Sequence, residues 1–142
     1  MPPNEVRDRL TAIRSRLGAR AAGAWRTEGD RLILVAFVPA PDLPAPVALG
    51  FQAATGSVDL ARVELGIVRA ATTGQVAVSI AAGLPAQAGS GHWLRAFGAA
   101  RSVAVPILGD RGRVGAVVSL ALGTQPGDEA VAEAIRGVGW AV

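Results

Sequence analysis

The sequence predicts an α+β domain in which a single β-sheet lies between helical layers. Three observations lead there. An apolar stripe at helical spacing opens the 142-residue chain, a second such stripe closes it, and the strand-like runs between them come largely as hairpins separated by helical patterns. The length fits one domain, 1–142, and a domain of this size hides roughly 70% of its unfolded surface. With 51% apolar and 18% charged residues, the composition is that of a chain that folds.

The elements follow in order. Val6, Leu10, Ile13, Leu17 and Ala21 fall at spacings of four and three, which predicts a helix over about 4–22 with Asn4 as its cap. Ala22–Thr27 and Arg31–Val38 read as two strands joined by a tight turn at 28–30. Because Leu32 to Val38 is apolar without alternation, both faces of that strand should be covered. The run PAPDLPAP, 39–46, with four prolines, reads as a stiff loop. Leu60–Thr73 looks helical, with Gly74 as its stop, and Gln75–Ile80 is a short third strand. Ala81–Gly91 reads as a mobile loop, His92–Phe97 as a short helix stopped by Gly98, and Arg101–Leu108 and Arg113–Leu122 as a hairpin turning at 109–112. A last helix over about 128–141 carries Val131, Ile135, Val138 and Val142 on one edge, with Glu129 and Glu133 toward its positive N-terminal end.

Composition excludes several functions. The sequence pI of 11.2 suggests a polyanion binder, yet the formal charge is only +3. With no lysine, tyrosine or cysteine to titrate above neutrality, the balance point slides up to the arginines. The densest basic set, Arg7, Arg9, Arg14, Arg16 and Arg20, is interleaved with acids as on a solvated helix face, so no nucleic-acid partner is expected. The absence of cysteine removes disulfides, thiolate catalysis and cysteine-ligated metal. No metal site is expected. The opening MPPNEVRDRL lacks the apolar core of a secretory signal, and no apolar run approaches the ~18–20 residues of a bilayer span. The expectation is a cytoplasmic protein with no membrane partner.

The stretches FGAARSVAVPI, 97–107, and GRVGAVVSL, 112–120, together with the element order, resemble the GAF domain family, and the likeness extends from about Val6 to Ala141. The resemblance implies a central antiparallel sheet of five or six strands. Terminal helices lie on one face, often pairing with a second subunit, and middle helices and loops enclose a small-molecule pocket on the other. It implies a regulatory domain that signals to a partner, and any output is expected to reside outside this sequence. The cysteine to which phytochrome-like members attach a bilin is missing, as are the cysteines of the GAF-type methionine sulfoxide reductases and the lysine of cyclic-nucleotide readers. Covalent bilin is thereby excluded, and the cofactor stays unknown.

Six residues are candidates for a ligand site. His92, the lone imidazole, has the chemistry to ligate haem or to bond an acidic ligand, or serves as an ordinary capping residue; haem is not expected. Trp93 and Phe97, four apart, share a helix face that either lines a pocket or packs on the sheet. Ser102, Ala104 and Pro106 alternate with Val103, Val105 and Ile107, so the small set occupies one face of the strand. If that face looks toward Trp93, a cavity follows, with the Ser102 hydroxyl inside and Arg101 or Arg95 at its mouth; otherwise the helix packs tightly on the small residues. For a homodimer surface the candidates are Val6, Leu10, Ile13, Leu17, Val131 and Ile135, unless that stripe only covers its own sheet. The leading function is a small-molecule sensor and the alternative a structural or dimerisation module. No catalytic constellation is legible, so no enzyme is expected.

Overall fold

In the computed structural model, which describes residues 1–140, the first helix α1 (Pro3–Leu17) begins one residue earlier than predicted. Pro2, not Asn4, sits at the cap with extended backbone; Pro3 follows at the first helical position, where a missing N–H costs nothing. The helix also stops short of 22. Gly18 adopts a left-handed conformation (φ 64°), and the N–H groups of Gly18 and Ala19 return to Ser15 and Arg14 carbonyls. Ala21 and Ala22 therefore belong to strand β1 (Ala21–Glu28), which turns through Gly29 into β2 (Arg31–Pro39).

The proline run is not all loop: after a turn at 40–43, Pro44 caps helix α2 (Ala45–Thr55), an element the sequence pattern did not predict. A three-residue strand β3 (Ser57–Asp59) follows, and the predicted helix over 60–73 shrinks to α3 (Gly66–Thr73), leaving Val63 exposed in the turns before it. Strand β4 (Ala77–Ile80) leads into a single 3₁₀ turn, Ala81–Gly83, and helix α4 (Gly89–Phe97) starts inside the segment read as a loop. Gly98 stops it at φ 73°, as expected of a residue without a Cβ. Strands β5 (Arg101–Leu108) and β6 (Val114–Leu122) form the predicted hairpin, and α5 (Asp128–Arg136) ends before the predicted 141. Ala141, the end of the family likeness and of the predicted helix, and Val142, placed by the sequence on that helix edge, lie outside the described residues.

The six strands form one antiparallel sheet in the order β3-β2-β1-β6-β5-β4. Helices α1 and α5 cover one face. There Val6, Leu10, Ile13, Val131 and Ile135 interlock with Ala24, Val103, Val105, Val118, Leu120 and Leu122 from the strands. This corrects the dimer assignment. Val6, Leu10, Val131 and Ile135 are 0% exposed and Ile13 2%, so they seal their own sheet and present nothing to a second chain. Leu17 is half-buried beside the same cluster.

Candidate functional site

On the other face, the strands carry small side chains where β1, β6 and β5 run side by side. Ala21 pairs with Ala121, which pairs with Ser102; Gly23 pairs with Ser119, which pairs with Ala104. A helix resting on large residues would contact them directly, but this floor leaves a gap. The gap is a cavity of about 150 Å³, bounded below by the Ala21, Gly23, Ser102, Ser119 and Ala121 floor and above by α2, the start of α3 and α4.

The walls are aromatic. Trp25, Phe37, Phe51, Trp93 and Phe97 all line the cavity, which is five of the six phenylalanine and tryptophan residues in the chain. Phe51 is their hub. It meets Trp25, Trp93 and Phe97 edge to face, at centroid distances of 6.2, 5.4 and 5.0 Å, and Phe37 at a tilt. Two close approaches make this arrangement feasible. Trp25 folds its ring back over Gly23, where a Cβ would stand 2.5 Å from the indole, and Gly50 admits Trp93 with a notional Cβ 3.2 Å away. The Trp25 indole N–H donates to the Thr55 carbonyl at 3.0 Å, which fixes that ring against α2.

Two arginines hold the roof. Arg20 donates through Nε to the Phe97 carbonyl at the end of α4 and through Nη1 to Asp42. That hydrogen bond is the largest influence holding the exposed Asp42 carboxyl below its usual range. Arg95 donates to the carbonyls of Gly91 and Ala81, tying the helix to the 3₁₀ turn before it.

The polar lining offers hydroxyl groups and one positive charge. Ser102 and Ser119 are half-buried, and neither hydroxyl bonds to another described residue, although each retains a donor. Arg62, exposed, marks the mouth; Glu64 accepts from its Nε at 3.0 Å, while both terminal nitrogens are unpartnered among the described residues. The carboxyl of Glu64 is held below its usual range by its own backbone N–H and then by Arg62. The first turns of α3 and α4, neither capped by a side chain, also border the cavity. No aspartate, glutamate or histidine is among the described residues lining it.

Of the six candidate ligand residues, the structure brings Trp93, Phe97 and Ser102 to the cavity. The other three lie elsewhere. His92 is exposed on α4, its ring edge-on to Trp93 at 4.8 Å, and Ala104 is buried in the neighbouring cluster with Trp25, Val68 and Val117. Arg101 is only 6% exposed, not at a mouth: strand alternation sends it, like Val103 and Val105, to the opposite face. There its guanidinium pairs with Asp128 and donates to the carbonyls of Pro126 and Gly123, latching the start of α5 to β5. Sequence reasoning missed Trp25, Phe37, Phe51, Ser119 and Arg62. For Ser119 a signal was present, since Val118-Ser119-Leu120-Ala121-Leu122 alternates large and small as β5 does.

Among the described residues, no group of three or more potential ligating residues could hold a metal ion, and no helix is long and apolar enough to cross a membrane. No protein-family model matches the sequence, and neither does any curated protein. Solved structures do match the fold. A GAF domain/HD domain protein from Geobacter sulfurreducens superposes with a TM-score of 0.70 at 14% identity, covering 96% of this chain and 85% of its own. The free methionine-R-sulfoxide reductase from Neisseria meningitidis, solved with its substrate, gives 0.66 at 15% identity over 96% of this chain and 72% of that one. The GAF domain of an Acinetobacter phosphoenolpyruvate-protein phosphotransferase gives 0.62 at 14% identity, covering 96% and 75%. The six-stranded antiparallel sheet, its two helical layers and these superpositions agree: the chain has the fold of a GAF domain.

Proposed function

We propose that this GAF-like domain is a sensor that binds a small molecule in the aromatic cavity and reports occupancy through its terminal helices. The observation that carries this reading is the hollow itself, about 150 Å³ over a floor of alanine, glycine and serine. A module with no ligand gains nothing from leaving such space, because an unfilled void costs stability. Strand β5 offers a route for the signal. Ser102 faces the cavity and Arg101, the next residue, holds Asp128 of α5 on the reverse face, so a ligand that shifts β5 also strains the latch.

The fold is shared with a GAF domain/HD domain protein and with a sulfoxide reductase, so activity has to be argued from side chains. This chain has no cysteine to supply a thiolate, and the cavity lining holds no acid or imidazole for proton transfer, which supports binding without chemistry. A homodimer, if formed, has to use residues other than the buried α1 and α5 stripe, and light scattering at high micromolar concentration reads its mass directly.

Thermal denaturation in the presence of nucleotides, amino acids and aromatic metabolites tests the reading. At least one class should raise the melting temperature by several degrees at saturating concentration, because only the folded state gains from binding. Ser119→Leu, which fills the floor, should abolish that rise. A melting temperature unmoved by every compound would make the domain a scaffold.

A further inference from the structure

The cavity also constrains what it can hold. We infer that its occupant is a planar, one-ring molecule carrying a single anionic group, for which benzoate is the simplest probe; this rests on the reading of the cavity as a ligand site.

Size comes first. An apolar cavity near 150 Å³ accommodates one benzene ring, and the volume found here is about 150 Å³. A purine nucleotide or a tetrapyrrole has several times as many atoms, more than this space encloses beneath a roof tied by Arg20 and Arg95. The shape of the occupant follows from the walls. Five aromatic residues surround the space, set edge to face or at a tilt with centroids 5.0–6.3 Å apart, and a sixth ring can join such a cluster in the same geometries, whereas a puckered ring of equal size cannot.

Charge follows from the polar groups. The Ser102 and Ser119 hydroxyls lie on one side of the cavity, free to donate, and Arg62 offers two unpartnered guanidinium nitrogens at the mouth. A cationic ligand would find aromatic faces but no carboxylate in the lining, and the Arg62 charge at the mouth opposes it, whereas an anion is drawn to that charge. The ring therefore sits among Phe51, Trp93 and Phe97 with its acid group over the serines and facing Arg62.

The experiment titrates the full chain with four probes, benzoate, benzamide, cyclohexanecarboxylate and adenosine monophosphate, by calorimetry and by tryptophan fluorescence. Benzoate should bind at least about tenfold more tightly than the neutral amide or the non-planar acid, a difference of one decade in Kd. It should also perturb the emission of Trp25 and Trp93. In Arg62→Gln, at an exposed position outside the core clusters, benzoate should fall to the affinity of benzamide while benzamide itself is unchanged. Ser119→Leu, or the milder Ser102→Val if the first fails to fold, should remove binding. Equal affinities for benzoate, benzamide and cyclohexanecarboxylate, or binding of the nucleotide alone, would overturn this inference and leave the ligand site standing. Binding that survives both filling substitutions would place the ligand elsewhere and overturn it too. If none of the probes binds, the inference fails, and the broader thermal screen then decides the sensor reading separately.

Discussion

The two faces of the sheet are built from the same strands, often from consecutive residues, and they come out opposite. Toward α1 and α5, Val103, Val105, Val118, Leu120 and Leu122 are 0% exposed and interlocked with helix side chains. Toward α2, α3 and α4, their neighbours Ser102, Ser119 and Ala121 leave a hollow. One face spends its residues on stability and the other on space. The alternation shows that a sheet can keep both functions apart without separate elements, because side chains point to opposite faces at every step.

The contrast can be broken by cutting into the solid face. Leu120→Ala should cost about 2–5 kcal/mol in denaturant unfolding, since the surrounding helices cannot collapse into the gap. A loss below about 1 kcal/mol would mean that the face is not close-packed. Overfilling sharpens the same comparison. Ala24→Leu, on the solid face, should cost about 1–3 kcal/mol, whereas Ser119→Leu, on the hollow one, should cost clearly less or raise the melting temperature. Equal losses at the two sites would contradict the difference between the faces.

The latch between the faces gives a middling effect. Asp128→Asn leaves the buried Arg101 guanidinium without its carboxylate, though its bonds to Gly123 and Pro126 persist, and Asp128 is half exposed. The expected loss is about 1–2 kcal/mol by chemical denaturation, discounted for that exposure. The smallest effect concerns acid. Because Asp42 titrates lower in the folded chain than in the unfolded one, its pairing with Arg20 stabilises above the ordinary carboxylate range and is lost as pH falls through the lowered value. Asp42→Asn should therefore lower stability slightly at neutral pH and converge with the parent as pH falls through that value, which flattens the acid limb of the stability curve.

Much of the solid face was legible in the sequence. The spacing of Val6, Leu10 and Ile13 gave the helix, and alternation along 101–108 gave the two faces of β5. What spacing does not carry is which surface a stripe covers, so the same residues also fitted a dimer contact. Alternation correctly separated Ser102 from Val103, and applied to Arg101 it would have placed that side chain with the valines rather than at the cavity. The roof was harder to read. Helix α2 hides behind prolines, is apolar on most sides and carries Gly50 in its middle, so no stripe marks it, yet it supplies Phe51, the hub of the aromatic walls. Trp25 reaches the cavity only because Gly23, two residues earlier on the same face, has no Cβ. That contact depends on a rotamer, which periodicity does not encode.

The hollow is open to direct observation. Diffraction from crystals held under xenon pressure should show an anomalous peak bounded by Phe51, Trp93 and Ser119, and none between the sheet and the α1 and α5 layer. A map with no peak, in which the aromatic rings have closed onto Gly23 and Ala121, would contradict the account.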